Sequence, residues 1–101
     1  MAVQADRMAA LGNEARLSII KLLLGALPGE MAAGEIGRQT GIPNSTLSHH
    51  LERLRKEGLV QSRRDKQWIW YRANTGTLTD LISFLYHDCC GGTGVELKTG
   101  G

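Results

Sequence analysis

The 101-residue chain has only two cysteines, which are adjacent in sequence at Cys89 and Cys90. Two neighbouring thiols do not make the disulfide framework of a small secreted domain. No apolar run approaches the ~18 residues of a membrane span, and the N-terminus lacks a basic segment followed by an apolar core. These absences lead us to expect a soluble, cytoplasmic protein with no membrane partner.

The formal net charge is only +2, but the charge is distributed unevenly. Residues 44–72 contain seven Lys and Arg against three Asp and Glu, a net charge of +4, whereas the rest of the chain has a net charge of −2. A basic segment on a nearly neutral chain indicates a surface that faces nucleic-acid phosphates. The alternative interpretation is an ordinary solvated face of the protein.

The length of the chain allows one domain, which we assign to residues 1–90. A domain of this size buries only about 60–65% of the surface that its unfolded chain exposes, so we expect modest stability. Residues 91–101 read G-G-T-G-V-E-L-K-T-G-G. This composition predicts a flexible, glycine-rich tail.

Residues 44–60, N-S-T-L-S-H-H-L-E-R-L-R-K-E-G-L-V, predict a helix with two different sides. Leu47, Leu51 and Leu54 recur at i, i+4 and i+7, which places them on one apolar stripe. The other side carries hydroxyl, imidazole and charged groups. Gly41 lies upstream, between this helix and a shorter one. A helix, a glycine turn and a second helix form the arrangement that lays the second helix in a DNA major groove.

The flanking segments complete a winged helix-turn-helix. Met31 to Gln39 is the predicted supporting helix. Leu59 to Arg64 and Gln67 to Ala73 are predicted strands, joined by a turn at Asp65-Lys66. The predicted fold class is therefore mainly α with a two-stranded wing.

Three further helices are predicted around this unit. They cover residues 1–11, Glu14 to about Leu24 with Asn13 as its N-cap, and Thr75 to about His87. The inward stripe predicted for the second of these is Ala15, Ile19, Leu22 and Leu23. The last helix has apolar residues at helical spacing, namely Leu78, Leu81, Ile82, Leu85 and Tyr86.

Nine residues are the candidates for DNA contact. On the recognition helix they are Ser45, Thr46, Ser48, His49, Arg53 and Lys56, and on the wing they are Arg63, Arg64 and Lys66. For His50, a partly buried structural role and a DNA contact are equally open. Adjacent helical residues diverge by about 100°, so His49 and His50 are poorly placed to chelate one metal ion. Trp68 and Trp70 are interpreted as strand packing.

The run S-T-L-S-H-H-L-x-x-L-x-x-x-G-L-V, followed by R-R-D-K-Q-W-I-W-Y-R, resembles the ArsR/SmtB-type arsenic and metal-responsive repressors. The resemblance covers roughly Met8 to Cys90. It implies a homodimer in which the first and last helices of the two protomers pack together, with double-stranded operator DNA as the other partner. A two-fold dimer also suits operator half-sites that lie one helical turn, or about 34 Å, apart.

Cys89 and Cys90 are the candidate sensor site. Thiolates select soft ions, and trivalent arsenic and antimony accept two thiolates from one short segment. The alternative is an inert pair. An internal disulfide is less favourable, because adjacent Cα atoms lie about 3.8 Å apart, below the ~4.4–6.8 Å of a relaxed disulfide.

The string D-C-C-G-G resembles the C-terminal arsenic site of one branch of these repressors, which usually adds a third cysteine a few residues later. Here that segment reads V-E-L-K, and Lys98 is not a soft ligand. A third ligand would come from water, a small thiol, His87, the partner protomer or a methyl group on arsenic. Arsenite, antimonite and methylated arsenite are therefore the inducers to consider, and we expect no permanently bound cofactor.

The expected function is that of a transcriptional repressor released from its operator by a trivalent arsenical. A repressor that responds to oxidants or sulfur species through the same thiols is the alternative in this class. A protein-interaction module is the alternative of another class. An enzyme is disfavoured, because the chain has no Cys-x-x-Cys at a helix N-terminus to lower a thiol pKa.

Overall fold

The computed structural model describes residues 2–88, which form five α-helices and three strands. The helices are α1 (Ala2–Leu11), α2 (Glu14–Ala26), α3 (Ala33–Thr40), α4 (Asn44–Lys56) and α5 (Thr75–Ser83). The strands are β1 (Met31–Ala32), β2 (Val60–Asp65) and β3 (Trp68–Ala73). A π-helical segment, Phe84–Asp88, follows α5, where the sequence predicted a continuous helix. Cys89, Cys90 and the predicted tail lie outside the described residues.

The predicted hairpin is confirmed, but it belongs to a sheet of three strands with the order β1-β3-β2. Both pairings are antiparallel. Met31 and Ala32, predicted as the first residues of the supporting helix, instead pair with Tyr71 and Trp70. Pairing with the edge of β3 overrides the helix propensity of these two residues, so α3 starts only at Ala33.

The hairpin turn lies one residue later than predicted. Asp65 is still part of β2 and pairs with Trp68, which leaves Lys66 and Gln67 in the turn. Lys66 has a φ of 60°, a left-handed conformation that a non-glycine residue adopts mainly in tight turns.

The core lies between the helices and the inner face of the sheet. The predicted stripe of Leu47, Leu51 and Leu54 is buried, as expected. On α2 the prediction was partly wrong. Ile20 is buried with Ile19 and Leu23, whereas Ala15 and Leu22 are only half-buried.

Local capping signals define the helix ends. The Asn13 side chain accepts a hydrogen bond from the Arg16 backbone N–H at 3.0 Å, which confirms the predicted N-cap of α2. Helix α4 ends at Lys56, and Gly58, which follows the C-cap residue Glu57, has a φ of 76°. There the Gly58 N–H bonds the Arg55 carbonyl and the Leu59 N–H bonds the Leu54 carbonyl. This double closure is a Schellman motif, and it turns the chain directly into the wing.

Candidate nucleic-acid interface

Helices α3 and α4 pack closely across a turn that contains Gly41, which has a φ of 75°. A Cβ atom on Gly37 would lie 3.2 Å from Leu47 Cδ2. The glycine therefore lets the two helices approach more closely than another residue would allow. The three leucines of α4 are buried in the common core, and the polar side of α4 is left in solvent.

The candidate contact residues on α4 fall into two groups. The exposed ones are Ser45, Thr46, Ser48, His49 and Lys56. Arg53 differs, because it is half-buried and its Nε lies 4.0 Å from a carboxylate oxygen of Glu57. Arg53 also lies close enough to Arg16 of α2 to lower the pKa of that guanidinium, a smaller effect than the burial of Arg16. Arg53 is therefore the candidate contact residue of α4 that lies near Arg16 of α2.

His50, for which the sequence left two roles open, is half-buried against α2. Its Nδ1 lies 3.3 Å from Nη1 of Arg16. Burial lowers the pKa of His50, and the positive charges of Arg16 and His49 lower it further. This contact favours the structural role.

Sequence reasoning missed a further pair on the solvent side of α4. Arg55 binds Glu52 through two hydrogen bonds, Nε to Oε1 at 3.1 Å and Nη2 to Oε2 at 2.6 Å. The spacing i, i+3 was the available signal for this pair. Glu52 would repel a phosphate if it stood alone, and Arg55 compensates its charge.

The two wing arginines lie on opposite faces of the sheet. Arg64 pairs with Ile69 and Arg63 pairs with Trp70, and cross-strand partners project from the same face. Ile69 faces the cleft beside α4, so Arg64 shares that face. Arg63 is on the outer face, where its guanidinium carbon lies 5.7 Å from the centre of the Trp70 ring. Lys66 is exposed at the wing tip.

An open cleft of about 270 Å³ separates the recognition helix from the wing. Its polar groups come from Asn44, Ser48 and Tyr71, and its apolar lining includes Leu47 and Ile69. Burial raises the pKa of Tyr71, so its phenol stays protonated and can donate a hydrogen bond at neutral pH. The alternation of β3 was the signal that could have assigned Tyr71 to this face.

Neither a metal site nor a membrane span is found in the part of the chain that the structure describes. Residues 2–86, whose side chains the structure describes, contain no cluster of three His, Cys, Asp or Glu side chains suited to hold a metal ion. Within the same residues, none of the helices has the length and apolar character needed to cross a bilayer.

Comparison with known proteins identifies the family. Residues 13–62, which contain the whole helix-turn-helix, match the model of the "Bacterial regulatory protein, arsR family". The HTH-type transcriptional regulator YgaV of Escherichia coli is 39% identical over 86 residues, which cover 85% of each chain. The protein belongs to the arsR family. The chain spans 64% of the length of one further curated relative and 89% of the length of another.

Two more similar proteins are informative. The biofilm growth-associated repressor of Xylella fastidiosa is 34% identical over 86 residues, covering 85% of this chain and 73% of that protein. A solution structure from Mycobacterium bovis is described as the homodimeric winged helix-turn-helix DNA-binding domain of a possible ArsR-family regulator. It superposes with a TM-score of 0.68 at 31% identity, covering 85% of this chain and 84% of that domain. The present arsR-family chain is accordingly a winged helix-turn-helix transcriptional regulator and not an enzyme.

Proposed function

We propose that the protein is a homodimeric repressor that binds operator DNA through α4 and the wing. The observation that carries this proposal is the exposed polar edge of α4, which lies beside an open cleft with Arg64 on the cleft side and Lys66 at the wing tip. In this proposal Ser45, Thr46, Ser48 and His49 reach base edges or phosphates from the first turns of the helix. The cations contact the backbone: Arg53, Lys56, Arg63, Arg64 and Lys66.

Exposed apolar side chains on α1 and α5 support the dimer. Val3 and Met8 on α1 are 58% and 43% exposed, and Ile82 on α5 and Leu85 just after it are 62% and 39% exposed. Helices α1 and α5 pack against each other within the protomer, so the two exposed sets belong to neighbouring elements. Several large apolar side chains exposed on neighbouring elements are typical of a protein–protein interface.

The proposed inducer is a trivalent arsenical, arsenite, antimonite or methylated arsenite, held by Cys89 and Cys90. The support is chemical, since these are the only thiols of the chain and soft thiolates select thiophilic ions. The cysteines directly follow the helical segment that carries Leu85. A metalloid bound there would act next to the proposed dimer contact, which sets the spacing between the two recognition helices.

Titration of an operator complex tests both parts of the proposal. A duplex selected by the protein from a random pool would be bound at several salt concentrations, and each trivalent arsenical would then be added. We expect operator binding that weakens with salt, and release that Cys89→Ser or Cys90→Ser abolishes without loss of operator affinity. Release of DNA from the double serine variant by arsenicals would refute the sensor site. Equal affinity for the selected duplex and for random DNA would refute the assignment as an operator-binding repressor.

A further inference from the structure

Arg16 joins three helices. It lies in the first turn of α2, and its Nε donates a hydrogen bond to the Ala10 carbonyl at 2.6 Å. Its Nη2 reaches the Ala9 carbonyl at 3.5 Å, and its Nη1 lies 3.3 Å from Nδ1 of His50. One guanidinium therefore holds the last turn of α1 and the middle of the recognition helix.

The chemistry of this contact fixes the state of the imidazole. A guanidinium has donors only, so Nδ1 of His50 must accept the hydrogen bond. The ring is then neutral, with its proton on Nε2. A protonated ring has no lone pair to offer and would place a second positive charge against Arg16. Protonation of His50 therefore removes the hydrogen bond and adds repulsion.

We infer that His50 is a positioning residue that, in its neutral form, fixes the recognition helix to α1 and α2 through Arg16. This inference rests on the proposed DNA-binding function. A second hydrogen bond links α1 to the C-terminal end of α4, where Arg7 Nε donates to the Glu57 carbonyl. At 3.4 Å it is long and therefore weaker. When the His50 contact is lost, the Arg7 hydrogen bond to the Glu57 carbonyl remains, at the C-terminal end of α4. The angle of α4 relative to the proposed dimer helix α1 then varies, and two half-sites are matched less well.

The groups around His50 determine the effect of pH. Arg16 faces it from α2, His49 and Arg53 lie on its own helix, and Arg7 of α1 is engaged at the far end of α4. Glu57, the carboxylate of this region, is paired with Arg53. Among the side chains of residues 2–86 no carboxylate is bonded to His50, so a protonated ring gains no partner there. Burial lowers the pKa of His50, and the charges of Arg16 and His49 lower it further. The ring is therefore neutral and operator affinity is retained at neutral pH, and affinity is lost on acidification, at a pH below the ordinary pKa of histidine.

Fluorescence anisotropy on the full chain tests this inference between about pH 8 and about pH 5, where an imidazole titrates. We expect the affinity of the wild type for its selected operator to fall about tenfold towards the acid end. Affinity for a random duplex should fall less, because phosphate contacts do not need a fixed helix angle. His49→Asn changes the exposed neighbouring histidine; it should bind operator more weakly at every pH but should still show the acid loss.

Two substitutions of His50 distinguish the effect of the hydrogen bond to Arg16 from the effect of imidazole protonation. His50→Leu removes the acceptor and should lower operator affinity about tenfold at neutral pH. His50→Asn restores an acceptor that does not titrate, so it should rescue most of this loss and give a flat pH profile. The inference is wrong if His50→Asn retains the acid loss of the wild type, or if it binds operator no better than His50→Leu.

A double-mutant cycle tests the partner. Arg16→Met and His50→Leu should each reduce operator affinity. The double variant should bind operator as tightly as the single variant with the lower affinity, because both changes break the same contact. Additive losses would overturn the assigned partner. Circular dichroism and light scattering would verify that each variant is folded and dimeric. If the wild type binds no DNA, the proposed function fails; if it binds but the cycle is additive, only this inference fails.

Discussion

The side chains of Arg63 and Glu30 form an ion pair that joins the wing to the loop before β1. Arg63 Nε lies 2.9 and 3.0 Å from the two carboxylate oxygens of Glu30, and Nη2 lies 2.7 Å from one of them. The hydrogen bonds from Arg63 lower the pKa of Glu30, so the carboxylate stays ionised at neutral pH. The Arg63 guanidinium is therefore engaged within the protein before DNA arrives.

This ion pair predicts unequal roles for the wing arginines. Arg64→Ala should weaken binding to all duplexes alike and reduce the salt slope by about 0.9 for one lost phosphate contact. Arg63→Ala should have a smaller effect, because Arg63 must leave Glu30 to reach a phosphate. Anisotropy titrations at several salt concentrations would measure both slopes. Glu30→Gln is the matched test, since it releases Arg63 and should tighten binding to any sequence; equal losses for both arginine variants would contradict this account.

The recognition helix should instead determine sequence preference. Ser48→Ala and His49→Ala should each cost about 1–3 kcal/mol of discrimination between operator and random DNA, with little change for random DNA. Competition anisotropy with both duplexes measures this difference. Ser18→Ala, at an exposed position of α2, is the control and should leave both affinities unchanged. A discrimination unaffected by either α4 variant would show that base contacts come from elsewhere.

Features encoded by neighbouring residues were predictable from the sequence. The leucine stripe of α4 and the Asn13 cap each depend on residues within one or two helical turns, and the structure confirms both. Periodicity and capping express backbone geometry directly, so one sequence suffices to read them.

Features that depend on distant residues were not predictable. The strand at Met31–Ala32 exists only because β3, about forty residues later, offers an edge. The contacts Arg16–His50 and Arg63–Glu30 join residues 34 and 33 positions apart. No local pattern indicates which arginine a histidine or glutamate meets. For this reason Arg63 was predicted as a DNA contact alongside Arg64, without its ion pair to Glu30.

The dimer prediction also becomes sharper with the structure. Leu81 is only 3% exposed within the protomer, so Leu81→Glu should unfold the chain. Ile82→Glu and Leu85→Glu affect exposed positions and should yield folded monomers, because burying an unpaired charge at an interface costs several kcal/mol. Light scattering gives the mass and circular dichroism the fold. Gln61→Glu adds the same charge on the wing and should remain dimeric; a wild type that is monomeric would contradict the dimer.

Two glycines of α3 form a matched pair for stability. Alanine at position 34 meets no atom within 4 Å, so Gly34→Ala should raise the free energy of unfolding by up to about 1 kcal/mol through helix propensity. Gly37→Ala gains the same propensity but presses on Leu47 Cδ2, so it should be less stable than Gly34→Ala and bind operator more weakly. Thermal melts and anisotropy measure the two effects. Equal stability of both variants would mean that α4 shifts without cost.

The number of sulfurs predicts which arsenical acts best. Trivalent arsenic takes three ligands, and Cys89 and Cys90 supply two. A methylated arsenical already carries its third substituent, whereas arsenite must keep an oxygen ligand. Release of operator by about 100-fold requires about 2.7 kcal/mol of preference for the DNA-free protein. We therefore expect methylated trivalent arsenic to release operator at a lower concentration than arsenite in parallel anisotropy titrations. A clear preference for arsenite would mean that the protein itself supplies a third ligand.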